Sequence, residues 1–178
     1  MKTQTKDLVL IALFAVFMTL CAWISIPAVV PFTLQSFGVF LALSLLGGKR
    51  GTAVLALYLL LGLVGLPVFS HFTSGVGVLL GPNGGYMMGW LLMGDVTWLT
   101  ERLGFSKASW RVLSLVVGQI LCYAVGTAWF MMVYAQQTGS VGFGTALLWC
   151  VVPFLLPDAA KLLLALWVTK RLKKTLEI

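Results

Sequence analysis

The stretch Val151-Val152-Pro153-Phe154-Leu155-Leu156-Pro157-Asp158-Ala159-Ala160-Lys161-Leu162-Leu163-Leu164 decides how the rest of the chain is read. It is too apolar to face water, yet it holds two prolines, an acid and a base. Proline suits the first turn of a helix and disrupts an interior. The final helix is therefore expected to start near Pro157 and end near Lys170, with 141–156 forming a separate short helix or an irregular stretch. An ionisable side chain deep in a membrane span costs about 2.5–3.5 kcal/mol on insertion scales. At positions i and i+3, Asp158 and Lys161 share a helix face and can partly neutralise each other. Counting back from Lys170 at about 1.5 Å per residue puts Lys161 roughly 13 Å and Asp158 roughly 18 Å above the inner boundary. Such a pair either orients its helix as an internal ion pair or forms a polar clamp for a charged, hydrogen-bonding ligand.

The surroundings of this stretch are equally apolar. Of 178 residues, 60% are hydrophobic and 10% charged, and the mean hydropathy is +1.02. Soluble chains carry about a quarter charged residues, so a soluble enzyme, a disordered chain and a secreted disulfide scaffold are excluded. Apolar runs occur at Leu8–Ile26, Pro31–Leu46, Gly51–Val68, Tyr86–Leu99, Trp110–Tyr134 and Val141–Val168. A span needs roughly 20 apolar residues. The expected fold is an all-α membrane protein of six transmembrane helices, a single domain over residues 1–178, whose first run is a span and not a cleaved leader.

Charge sets the orientation. Eleven of the twelve Lys and Arg residues flank alternate loops: Lys2, Lys6, Lys49, Arg50, Arg102, Lys107, Arg111 and the closing Lys170, Arg171, Lys173 and Lys174. Loops near 27–35, 70–85 and 135–140 contain no Lys or Arg. This alternation is the positive-inside pattern and places both termini in the cytoplasm. The net charge of +7 never gathers into a patch with interleaved aromatics, so nucleic acid is not an expected partner; membrane lipid is. Trp98, Trp110 and Trp167 fit an interfacial belt.

The loop from His71 to Gly85 is glycine-rich yet carries Val76, Val78, Leu79 and Leu80, so it is expected to fold back as a lid. Breaks at 70–85 and 153–157 both fall in the outer half. Non-helical backbone at membrane depth must be covered or line a cavity, which implies a cavity open to the outside. Ser70, Thr73 and Ser74 could offer hydroxyls to a ligand or cap their own loop. His71 stands without a second ligand, Cys21, Cys122 and Cys150 fit no zinc or redox spacing, and no metal or cofactor is expected. Gly48-Lys49 lacks the rest of a P-loop. Asp95 suits a helix-packing or interface contact.

Four motifs follow one another in register with this topology: Pro31-Phe32-Thr33-Leu34-Gln35, Leu63-Val64-Gly65-Leu66-Pro67-Val68-Phe69, Gly81-Pro82-Asn83-Gly84-Gly85-Tyr86 and Pro157-Asp158-Ala159-Ala160-Lys161. Together they resemble the BioY family, the biotin-specific substrate-binding (S) components of energy-coupling factor (ECF) transporters. The resemblance implies an ECF S-component-like bundle, with ligand held near the outer surface under the loops between helices 1 and 2 and between helices 3 and 4. It puts the family's ligand-contacting Asp and Lys on Asp158 and Lys161, a third polar contact on Thr73 beside Ser74, and Tyr86 near the site. Gln35 belongs to the same candidate set, and Phe32, Trp90 or Tyr86 could pack on the biotin bicycle. It further implies docking on a transmembrane coupling subunit, with two ATPases, through a small-residue face on helix 1, here Ala12, Ala15 and Thr19. With no nucleotide site of its own, the chain works with such a module or as a solitary carrier in the inner (cytoplasmic) membrane. An S component for another vitamin and an ion-coupled carrier are the alternatives.

Overall fold

The computed structural model describes residues 2–27, 30, 32–105, 107–137 and 139–176. Pro31, the first residue of the Pro-Phe-Thr-Leu-Gln motif, lies outside them. The chain is helical nearly throughout: α1 (Lys2–Trp23), α2 (Gln35–Leu63), α3 (Val76–Leu79), α4 (Gly84–Arg102), α5 (Ala108–Gln137), α6 (Phe143–Cys150) and α7 (Val152–Leu176). Between α1 and α2 runs a two-residue antiparallel pair, β1 (Ser25–Ile26) and β2 (Phe32–Thr33), with Ser25 opposite Thr33 and Ile26 opposite Phe32. Among the described residues, four helical stretches are long and apolar enough to cross a membrane: Thr5–Trp23, Gln35–Leu63, Ala108–Gln136 and Phe143–Lys174.

Backbone satisfaction explains the boundaries that differ from expectation. The second and third apolar runs form the two arms of α2, which part at a break beside Lys49 and Arg50. Gly47 interrupts the helix with φ 80° and ψ 174°, a conformation that glycine reaches without the Cβ penalty. The freed Gly48 N–H donates to Glu101 Oε2 at 2.8 Å, tying the break to the end of α4. The last helix begins at Val152, not Pro157. Pro153 occupies its first turn, where N–H groups have no intrahelical acceptor, so only Pro157 removes a helix bond, the one to the Pro153 carbonyl.

The core is gathered around α2, whose Val39, Phe40, Leu43, Val54, Leu55 and Tyr58 are fully buried. Helices α1, α4 and α7 pack around it, and α5 packs most extensively on α4. The opposite sides of the outer helices stay apolar and exposed, as with Leu8, Val9, Leu13 and Val16 on α1 and Leu163 on α7, a surface that lipid would cover. The segment between α2 and α4 does fold back. Gly75 N–H donates to the Gly62 carbonyl at 2.7 Å, Phe69 and Leu79 enter the core, and Trp129 Nε1 donates to the Gly81 carbonyl at 3.0 Å.

Candidate functional site

Asp158 and Lys161 lie one turn apart on α7, both buried. Lys161 Nζ is 3.0 Å from Asp158 Oδ1. Helices α2 and α5 bring three more donors to the same carboxylate. Ser36 Oγ donates to Oδ1 at 2.8 Å, Tyr123 Oη to Oδ2 at 2.7 Å and Gln119 Nε2 to Oδ2 at 3.2 Å. Lys161 also donates to Ser36 Oγ at 3.0 Å. The ammonium sits 5.4 Å from the centroid of Phe32, and Phe32 stacks on Phe154 at 4.7 Å. A buried charge is tolerable when paired and hydrogen-bonded, and the Asp158 carboxylate is both.

Above the ion pair lie two adjoining chambers. The inner one, about 80 Å³, is walled by Ser36, Gln119, Tyr123, Phe154, Asp158 and Lys161. The outer one, about 100 Å³, is walled by Gln35, Phe69, Ser70, Val78, Asn83 and Met87. Val30, Thr33, Tyr86 and Trp90 line both. Their walls join the β2 segment, α2, the lid before α4, α4 itself, α5 and α7. The ion pair and its donors stand at one end, Gln35, Ser70 and Asn83 at the other, and aromatic faces line the sides. That arrangement suits a small molecule with a flat apolar body and a hydrogen-bonding head.

The structure brings most of the expected residues together. Gln35 Nε2 donates to Tyr58 Oη, which in turn donates to the Val68 carbonyl at 2.7 Å, so Gln35 is held beside the outer chamber. Tyr86 keeps its ring between the chambers and its hydroxyl 3.0 Å from Thr127 Oγ1. Thr73 is placed elsewhere. It is exposed, donates to the Ser70 carbonyl at 2.8 Å and lines neither chamber; Ser74, half-buried, lines neither as well. On α1, Ala12 is exposed, whereas Ala15 and Thr19 are buried within the bundle, and Thr19 Oγ1 donates to the Ala15 carbonyl at 3.0 Å. Asp95 is exposed on α4 in a groove with Trp98 and Leu121.

Sequence reading missed Ser36, Gln119 and Tyr123, which hold Asp158, and Asn83, whose buried Oδ1 has no partner among the described residues. The signal for Gln119 was available: a lone amide in the middle of the apolar run Trp110–Tyr134. Ser36 and Asn83 sat in or beside quoted motifs, but only the fold shows that they reach the chambers.

A helical bundle with apolar outer faces, closed around a hydrogen-bonded ion pair and two small chambers, defines a membrane-embedded binding protein for a small amphipathic molecule. Residues 1–178 match the BioY family, and the chain belongs to that family. It is 41% identical over 174 residues to the biotin transporter BioY of Thermotoga maritima, covering 95% of this chain and 96% of that protein. It is 36% identical to the biotin transporter BioY of Rhizobium etli, covering 80% of each. The fold matches the 2.1 Å crystal structure of the S-component for biotin from an ECF-type ABC transporter. The TM-score is 0.83 at 28% identity, over 97% of this chain and 93% of that one.

Proposed function

We propose that the chain binds biotin in the two chambers and carries it across the cytoplasmic membrane as the S component of an ECF-type transporter. The observation that carries this reading is the buried Asp158–Lys161 pair at one end of an aromatic-walled cavity, in a chain of the BioY family. The ureido head of biotin lies against the pair, and its bicycle lies between Trp90, Tyr86 and Phe154. Six spans are proposed: α1, the two arms of α2 on either side of Gly47, α4, α5 and α7, with both termini cytoplasmic.

The proposed partners are a transmembrane coupling subunit and two ATPases. Docking through α1 uses its exposed side, which holds Ala12, because Ala15 and Thr19 are engaged inside the bundle. Thr73 and Ser74 reach ligand only if the lid rearranges.

The test is biotin binding to the detergent-purified protein, beside Asp158→Ala and Lys161→Ala, with riboflavin and thiamine as controls. Biotin-selective binding, weakened at least about tenfold in either variant, is expected. A folded wild type that binds no biotin refutes the reading. Binding that survives both substitutions keeps the vitamin and returns the pair to a structural role.

A further inference from the structure

An ionised carboxylate offers about four lone-pair sites. All four sites of Asp158 are occupied: Oδ1 by Ser36 and Lys161, and Oδ2 by Gln119 and Tyr123. A ligand N–H can reach this carboxylate only by displacing one of its donors. The groups around it are less fully used. Gln119 lines the inner chamber, its Nε2 is committed to Asp158, and its buried Oε1 has no hydrogen-bond partner among the described residues. Lys161 has three N–H donors and directs two of them, to Ser36 and Asp158. The assignment of oxygen and nitrogen in the Gln119 amide follows from the network, since only an N–H can face the carboxylate.

One free acceptor and one free donor thus flank the same carboxylate on the chamber wall. From this geometry, and resting on the biotin reading above, we infer that Gln119 and Lys161 together read the N–H/C=O edge of a cyclic urea. Ring closure holds an N–H and the carbonyl of such a urea on the same side, so the edge presents a donor beside an acceptor. Gln119 Oε1 accepts the ligand N–H, and the remaining Lys161 N–H donates to the ligand carbonyl. Asp158 holds both side chains in place, and Tyr123 and Ser36 hold Asp158. A buried amide oxygen left without a partner costs stability, so the wall discriminates against a molecule of the same shape that lacks this N–H. Gln119 is therefore a specificity-determining residue of the site.

The test is a cycle of one protein change against one ligand atom. Binding of biotin and of its two cyclic carbamate analogues, in which oxygen replaces one or the other ring N–H, is measured for wild type, Gln119→Met and Gln119→Glu. Gln119→Met is expected to weaken biotin about tenfold. It should weaken one carbamate clearly less than biotin, because there the acceptor faces an oxygen, and weaken the other as much as biotin. Gln119→Glu keeps an oxygen at the Oε1 position, so it should retain the wild-type preference between the two carbamates even where overall affinity falls. Equal ratios for all three ligands, or loss of that preference in Gln119→Glu, would show that Gln119 acts only by holding Asp158 and would overturn the inference. Wild-type protein that binds riboflavin or thiamine but not biotin removes the functional reading itself, and this inference with it.

Discussion

Asp158 and Lys161 are not equivalent partners, and their neighbours determine why. Remove Lys161, and the carboxylate still accepts from Ser36, Gln119 and Tyr123. Remove Asp158, and the ammonium keeps Ser36 and the face of Phe32 but no counter-charge among the described residues, while three donors lose their acceptor together. Breaking a buried pair costs about 3–5 kcal/mol when the remaining charge is uncompensated. Asp158→Leu should therefore cost about that much, and Lys161→Met about 1–3 kcal/mol, although both impair biotin binding. Thermal unfolding in detergent checks the ranking; Lys161→Met melting as low as Asp158→Leu would contradict it. The pair itself was legible in the sequence, because two ionisable residues one turn apart in an apolar run have few physical excuses. Its supporting donors were not. Ser36 and Tyr123 come from 122 and 35 residues away, and nothing local in a Ser or a Tyr announces which distant helix it will face.

Among the elements, the lid and the α2 break respond to different constraints. Gly84 begins α4 directly beneath α3, where an added Cβ would collide with the Leu79 carbonyl oxygen. Backbone cannot yield there as a flexible side chain would, and overpacking of this kind costs typically about 1–3 kcal/mol. Gly84→Ala should push α3 off the chambers and speed biotin dissociation about tenfold, as read from off-rates. Unchanged off-rates in folded protein would mean that the lid does not hold the ligand. The knot that ties the Gly47 break to the end of α4 should behave oppositely. Glu101 accepts from Gly48 N–H at 2.8 Å and lies 3.8 Å from Arg111 Nε, yet none of these residues lines either chamber. Glu101→Ala should lower stability by about 1–3 kcal/mol and leave the biotin Kd within about twofold; a large Kd change would reveal coupling between the two ends. Element existence was readable from the apolar runs, whereas boundaries were not. A proline at 157 reads as a start in sequence, but the helix tolerates one missing bond once Pro153 has already taken its first turn. The break at Gly47 was the exception, since the second and third apolar runs already part there around Lys49 and Arg50.

For the whole molecule, the distribution of charge and the depth of the site make one connected claim. The loops that cover the chambers, before α2 and before α4, carry no Lys or Arg. The charged turn between α4 and α5 and the basic end of α7 lie at the other ends of their helices. If basic loops face the cytoplasm, the chambers open outward, as uptake requires. Orientation is testable because the native thiols form a quiet background: Cys21, Cys122 and Cys150 are all buried, at 5%, 2% and 1% exposure. Single cysteines at two exposed positions, Lys107→Cys and Gln136→Cys, should then report opposite sides. In intact cells an impermeant maleimide should label Gln136→Cys, and label Lys107→Cys only after the membrane is opened. The reverse pattern would turn the chambers toward the cytoplasm, and a protein so placed would meet its ligand from inside. Biotin uptake would then need a different path through the same bundle, and the outward-facing lid would lose its role in capture.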